Sequence, residues 1–549
     1  MRLALVTTPP SVRSGIGDYT RHLMPHLREH VDLTVFVADE LAGEDHGGFE
    51  TRAASSLVPR EYDQILFQLG NEITHGFMAP MVRALGGIVC LHDWVLFDMA
   101  LAAWPELAHG GLRGHWLALR EGGSENLACY RANRQARRRA CQLPVEGWYA
   151  PESEGRWTAD GGVLRLPAGA PGTLRLRLRG APGSHVQCSD ARGTVLGEVR
   201  LTDAGSVAEL ALDVAAAEVS GTELVLRTTG PGVLAPDGRR LGCFVVELAG
   251  RGPGGWSALP LEVTGARVQP IDLARDRFDL ALNRSIVRFA DGFFVHSDAL
   301  GYRIIDERNA PTPIGVLPHG AQPRWSDSER TATRAHLGLA GWESAFLLTS
   351  FGAVQGHKRV DVLLEGLARA RATGQDLRLV LIGHLEPEHY DPLPTIARHG
   401  LGDVVHTTGY VPEERAWEWI HAGDLAVQLR GPSTGGTSGG IFQSLALGRG
   451  VIASRTGEQA ELPESCVLQV AHGEHEVRDL AQLLCGLAQD PAQRADLETG
   501  AREFVRDECC WERVAARYVE ALELLPRPRS SKKRFLFDRI RQGVKERQG

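Results

Sequence analysis

Through the first 145 residues, short apolar runs alternate with stretches of helical period. Residues 3–6, 33–37, 64–67 and 87–91 read as buried strands, and residues 19–30 read as a helix between the first two. Runs that are apolar throughout, rather than at every second position, belong to a parallel sheet covered by helices on both faces. From Gly147 to Gly252 the period becomes two, as in Thr173-Leu-Arg-Leu-Arg-Leu-Arg and Phe244-Val-Val-Glu-Leu, with Gly, Pro and Asp-Gly turns between the runs. That texture predicts an antiparallel β-sandwich inserted into the first α/β domain. The first pattern resumes with a helix over 271–289 and strands at 292–297 and 314–320. A Pro/Ser/Asp-rich linker over 322–330 leads to a second alternating unit, with strands at 346–351, 377–383, 404–408, 425–429, 451–454 and 467–470.

The fold class is therefore α/β: two doubly wound Rossmann-like domains, with the sandwich inserted in the N-terminal one. The boundaries fall at 1–145 and 253–325 for the first domain, 146–252 for the insert and 326–505 for the second domain. A chain of 549 residues exceeds what one core supports, so division into domains is expected. A formal charge of −8 argues against nucleic acid as the default partner. No apolar run reaches the roughly 20 residues of a membrane-spanning helix. The first apolar run stops at Thr7-Thr-Pro-Pro, too early for a signal peptide. Nine scattered cysteines without a C-x-x-C pair are those of a reduced, cytoplasmic protein. Residues 526–549 carry nine Lys/Arg against Asp538 and Glu546, with Phe537, Ile540 and Val544 on one stripe. Such a segment is either a solvated basic tail or a helix lying on an anionic membrane surface.

Candidate chemistry gathers at strand ends. Leu425 to Leu429 is followed by Arg430-Gly-Pro-Ser-Thr-Gly-Gly-Thr437-Ser438-Gly439-Gly and then a helical pattern running through Gln443. Strand, glycine-rich turn and helix present backbone N–H groups and a helix N-terminus to a phosphate; the plain alternative is a mobile surface loop. Phe351-Gly352-Ala-Val-Gln-Gly-His-Lys358-Arg359 opens the second domain, and a lysine there can neutralise a diphosphate leaving group. Ser14-Gly15-Ile-Gly17-Asp-Tyr19 is a second glycine loop, and His92-Asp93 closes a buried strand where a side chain would project into the cleft. In the insert, Trp148, Tyr149 and Trp157 are suited to stack on sugar rings and equally to fill a core.

Together these pieces resemble the family-4 retaining glycosyltransferases of the GT-B fold, over everything except the insert and the tail. The matching segments include Phe67-Gln-Leu-Gly-Asn71, Leu91-His-Asp-Trp-Val-Leu96, Val295-His-Ser297, Leu317-Pro-His-Gly320, Thr408-Gly-Tyr-Val-Pro412, Gly436-Thr-Ser-Gly439 and Glu461-Leu-Pro463. Residues 506–525 resemble the family's C-terminal helix, which crosses back to the first domain. The resemblance implies metal-independent transfer of a sugar from a nucleoside diphosphate sugar to a glycan or lipid-linked acceptor. No other cofactor is implied. Gly15 and Gly17 would approach the diphosphate, His92 would bond the donor sugar, and Lys358 would hold the leaving phosphates. Thr437, Ser438 and Gly439 would cradle phosphate or sugar, with Glu461 near the nucleotide. Gly352, Arg359, Arg430 and Gln443 belong to the same donor side, and Asp93 and Asn71 to the acceptor side. No Asp-x-Asp set suited to Mg²⁺ stands at a strand end.

Two departures from the family pattern matter. Ala353 stands where an arginine is usual, with Arg359 and Arg430 as possible substitutes. Gly435 and Gln443 stand in place of a pair of glutamates. They keep open a second class of function, a non-catalytic nucleotide-sugar or glycan binder; a third, a nucleotide-sugar epimerase, needs no acceptor. The job of the insert, acceptor binding or assembly, is open.

Overall fold

The computed structural model describes residues 1–525 except 10, 13, 44, 46–47, 143–146, 150–154, 167–171, 191, 204–205, 215–222, 236–238, 253–254, 260–277, 326–329 and 386–389. The basic tail, 526–549, and residues 271–277 of the expected helix lie outside these described residues. The chain divides into two compact units, Met1–Tyr130 with Asp276–Gly549, and Arg131–Arg275.

The first unit holds two parallel sheets. In the N-terminal one, the strand Arg2–Val6 pairs on one side with Asp32–Val37 and then Thr51–Ala53. On its other side come Gln64–Leu69, Ile88–Leu91, Gly292–Val295 and Ile314–Val316. Neighbouring strands Ile88–Leu91 and Gly292–Val295 are joined through the whole second unit. The other sheet is centred on Phe346–Phe351, which pairs with Leu377–Ile382 and then Val405–Thr407 on one side. Leu425–Gln428, Val451–Ser454 and Val467–Val470 extend it on the other. In both sheets strand order reverses beside the first strand, and loops leaving that point open a crevice at the strand C-termini. Those loops are 7–14 and 70–77 in one sheet, and 352–359 and 429–438 in the other.

The apolar strand runs are buried on both faces, as in Gln64–Leu69, where all six residues are enclosed. The late helix Trp511–Leu524 joins the N-terminal core: Trp511, Val514, Tyr518 and Leu522 pack with Leu3, Leu5, Tyr19 and Phe294. Among the described residues no helix is long and apolar enough to cross a membrane.

The second unit is antiparallel. Val195–Arg200, His185–Asp190, Glu223–Thr229 and Gly161–Arg165 form one sheet. Ala208–Asp213, Thr173–Gly180, Cys243–Gly252 and Gly255–Leu259 form the other, with Arg156–Trp157 paired to Cys243–Gly252. Both contribute to one core through Leu174, Leu176, Leu178, Val186, Leu210, Leu224 and Leu226. Trp148 belongs to that core, its indole N–H donating to the Val163 carbonyl at 2.7 Å. Tyr149 is likewise buried and donates to the Arg240 carbonyl at 3.0 Å. Neither ring is presented to a sugar. Trp157 stays half-buried, edge-on to Phe244.

Two helix boundaries differ from expectation. Of the helix expected over 271–289, Phe278 and Asp279 are helical, residues 280–283 break it, with Leu282 at a left-handed φ of 46°, and it resumes as Arg284–Phe289. Lys358 ends a short 3₁₀ turn, Gly356–Lys358, and the α-helix Val360–Arg371 begins after Arg359 at φ 49°.

Candidate active site

A cavity of about 520 Å³ opens between the C-terminal ends of the two parallel sheets, lined from the N-terminal half by Gly15, Tyr19, His22 and His319 among others. Its other wall comes from Gly352, Ala353, Arg430, Gly439, Gly440 and Gln443. The two loops that leave the reversal point of the second sheet supply Gly352, Ala353 and Arg430 of that wall.

The first loop needs glycine. Gly352 has φ 115°, and a Cβ there would lie 2.2 Å from the Lys358 ammonium. The lysine therefore folds back over the turn, with Nζ donating to the Phe351 carbonyl at 3.5 Å. Removal from water and the nearby Arg430 guanidinium bring its pKa down to about 7. On the second loop, Arg430 is anchored by its N–H to Ser454 Oγ at 2.9 Å. Desolvation holds its guanidinium below the ordinary value, opposed by Asp93 and Glu458.

The loop then enters the helix Gly439–Ala446, whose cap residue Ser438 is buried and makes no side-chain cap bond. The first N–H groups of a helix have no intrahelical acceptor and carry the positive end of its dipole. Gly439 and Gly440 line the cavity there, and a Cβ on Gly439 would meet nothing within 4 Å. Arg430 and a bare helix end thus converge on one wall, with the Lys358 ammonium packed against Gly352 of that wall, an arrangement suited to a diphosphate. Thr437 is half-buried on the approach to this helix.

At the cavity's other end Glu413 joins the halves. Its carboxylate accepts from Arg21 at 2.5 Å, with His22 and the Gln443 amide each at 3.5 Å. Burial raises the Glu413 pKa, but bonding and attraction from His22 and Arg21 outweigh it, and the group ends below its ordinary value. Gln443 also accepts from the Trp417 indole at 3.1 Å, and Arg324 stacks over that indole at 3.6 Å. On the N-terminal side Ser14 caps the helix Gly15–Arg28 by accepting from Gly17 N at 2.9 Å. That places Gly15 on the cavity wall and Gly17 behind it.

Several residues singled out from the sequence lie elsewhere. His92 is buried behind Tyr19, whose ring meets it edge-on at 4.8 Å. Its ring nitrogens face Gln68 at 2.7 Å and His296 at 3.3 Å, so its side chain does not project into the cavity. Burial, with His296, His319 and His75 nearby, holds its pKa well below the usual range. Arg359 turns away to form two bonds with buried Glu476. Glu461 accepts from the Asp298 and Ala299 N–H groups at 2.7 Å each, capping the helix Asp298–Arg308. Asn71 caps the helix Phe97–Ala103, accepting from Asp98 N at 2.7 Å, and its own N–H donates to Asp93 at 3.0 Å.

Asp93 in turn accepts from Thr434 Oγ1 at 3.0 Å, and the Thr434 carbonyl takes the N–H groups of Trp94 and Val95 at 2.9 Å each. The glycine turn is thereby pinned to the N-terminal half. Gly435, with φ 78°, has Trp94 Cβ 2.4 Å from where its own Cβ would be. A glutamate has no room at that position. Glu413, Trp417, Arg324, Tyr410 and His319 were not singled out as site residues. His319 and Tyr410 stand in the recognisable Leu-Pro-His-Gly and Thr-Gly-Tyr segments, whereas nothing local marks Glu413 as a partner of Arg21 392 positions away.

A family model described as "Glycosyl transferases group 1" matches residues 345–490. D-inositol 3-phosphate glycosyltransferase 2 of Catenulispora acidiphila is 29% identical over 231 residues, 40% of this chain and 52% of that protein. D-inositol 3-phosphate glycosyltransferase of Arthrobacter sp. is 27% identical over 246 residues, 43% of this chain and 56% of that protein. The chain spans about half the length of the curated relatives it matches. Among solved structures, Anabaena HepE in complex with UDP aligns over 96% of this chain and 100% of its own, at 12% identity and a TM-score of 0.46.

Proposed function

We propose that this protein is a retaining glycosyltransferase that moves a sugar from a nucleoside diphosphate sugar to a glycan or lipid-linked acceptor in surface polysaccharide synthesis. The observation that carries the reading is the meeting of Arg430 and the Gly439–Gly440 helix start on one cavity wall, with the Lys358 ammonium packed behind Gly352 of that wall, in a chain whose residues 345–490 match the group 1 glycosyltransferase model. As the bond from the anomeric carbon to the diphosphate oxygen breaks, negative charge grows on the phosphates, and these groups stabilise it without a metal. The acceptor hydroxyl attacks from the face the diphosphate leaves and passes its proton to a departing phosphate oxygen, so no protein nucleophile is needed. His319 and the Glu413–Gln443–Trp417 group line the rest of the cavity and would orient the two substrates. The protein would act in the cytoplasm, with the basic segment 526–549 touching an anionic membrane where a lipid-linked acceptor resides. The inserted unit, taken as a β-sandwich, is assigned no step.

A panel of nucleoside diphosphate sugars, offered with D-inositol 3-phosphate and with oligosaccharide acceptors, tests this. Release of nucleoside diphosphate that depends on acceptor, with product of the donor's anomeric configuration by NMR, supports the reading. Inverted product, or a changed donor sugar without acceptor, contradicts it.

A second reading, a binder without turnover, is favoured by one observation: Gly435 and Ala353 put no charged side chain at two positions the family uses. Saturable nucleotide-sugar binding with no transfer to any acceptor would select it.

A further inference from the structure

Beneath the cavity, on the side of Tyr19 away from solvent, two neighbouring strands bring together a cysteine and two histidines. Cys90 pairs in register with Phe294 across the parallel strands. Side chains two apart on a strand share a face, so His92 continues the row of Cys90 and His296 that of Phe294. Cys90 Sγ lies 3.6 Å from His92 Nε2 and 3.9 Å from His296 Nε2. One donor atom from each of the three residues falls within 4.8 Å of the other two.

The hydrogen bonds around them set the tautomers. His296 Nδ1 faces the Leu317 carbonyl at 3.0 Å, an acceptor only, so the proton sits on Nδ1 and Nε2 is bare. His92 Nε2 faces the Gln68 amide oxygen at 2.7 Å, which likewise places the proton on Nε2 and leaves Nδ1 bare. The two bare nitrogens then confront each other at 3.3 Å. Lone pairs at that distance repel unless a proton or a metal cation lies between them. A tetrahedral zinc ion, with Zn–N of about 2.0–2.1 Å and Zn–S of about 2.3 Å, sets its ligand atoms roughly 3.3–3.6 Å apart. Ligating histidines generally donate their other N–H to a carbonyl or similar oxygen, as both do here. The Tyr518 hydroxyl, 3.0 Å from Cys90 Sγ, stands beside the remaining position.

We propose that Cys90, His92 and His296 bind one thiophilic metal ion of the zinc class, in a buried site behind the cavity wall. The ion would tie the strands Ile88–Leu91 and Gly292–Val295 to each other beside the helix Trp511–Leu524. It is separate from the cavity wall formed by Arg430 and the Gly439–Gly440 helix start, and it holds whether or not the cavity takes a nucleotide sugar.

Zinc content and cobalt spectroscopy on the full chain test the site. We expect one equivalent of zinc bound tightly after dialysis, a Tm that drops when a strong chelator removes it, and recovery on adding one equivalent back. Cobalt(II) added to the metal-free protein should saturate at one equivalent, with an intense thiolate-to-cobalt charge-transfer band and the visible spectrum of a tetrahedral ion. Cys90→Ser should lose the charge-transfer band, and His296→Gln should lower affinity for cobalt at least tenfold, both with native far-UV circular dichroism. A folded wild-type chain that takes up neither ion would overturn the proposal, leaving a hydrogen-bonded cluster. A charge-transfer band that survives in Cys90→Ser would also overturn it, by placing the metal at another cysteine.

Discussion

Lys358 reaches back across Gly352, so that its ammonium lies over the turn that precedes it and donates to the Phe351 carbonyl at 3.5 Å. That long contact is one a phosphate oxygen can displace. With a pKa of about 7, the lysine is charged below neutrality and largely neutral above it. Binding of a diphosphate requires the charged form. The affinity for a nucleoside diphosphate should therefore be flat below about pH 7 and weaken by up to tenfold per unit above it, until the higher pKa of the complex is passed. Titration calorimetry across this range checks the slope, and Lys358→Met should abolish it.

The same turn predicts an effect of a single methyl group. Gly352→Ala places a Cβ on the lysine's ammonium and forces a non-glycine residue to φ 115°. It should cost on the order of 1–3 kcal/mol of stability and weaken nucleotide binding about tenfold or more by displacing Lys358. Denaturant melts and a nucleotide titration on the same preparation separate the two effects.

Glu461 and Arg359 separate structural from binding roles. Glu461→Ala leaves the Ser297 cap of the helix Asp298–Arg308 in place but removes the acceptor of the Asp298 and Ala299 N–H groups, and should cost about 1 kcal/mol, with nucleotide affinity unchanged within about twofold. Arg359→Ala strands the buried Glu476 carboxylate and should cost about 3 kcal/mol. A large loss of nucleotide affinity in folded Glu461→Ala would instead put that residue at the donor.

Placing at residue 435 the glutamate usual in the glycosyltransferases this chain resembles should fail. Gly435→Glu must displace Trp94 and accept φ 78°, so the glycine turn should detach from Thr434's partners at Trp94 and Val95. Lower stability and weaker nucleotide binding are expected, measured by thermal melts and titration.

The strands were legible because a doubly covered sheet demands unbroken apolar runs, as in 377–382, and the antiparallel sheets because Thr173–Gly180 alternates strictly. The glycine turns were legible too, since Gly352 and Gly435 occupy backbone conformations other residues avoid. What stayed hidden was the direction in which side chains turn. The same local pattern suits a Glu461 facing a nucleotide or capping a helix 163 residues away, and only the packed structure distinguishes them. The Cys90–His296 proximity depends likewise on which strands neighbour each other across the insert.

The most direct test of the account is calorimetric titration of the full chain with a panel of nucleoside diphosphates near pH 7, wild type against Lys358→Met. The account predicts one preferred base bound at one site, with affinity at least tenfold weaker in the variant while its fold and Tm are retained. Equal affinity in both proteins, or no binding of any nucleoside diphosphate to the wild type, would contradict it.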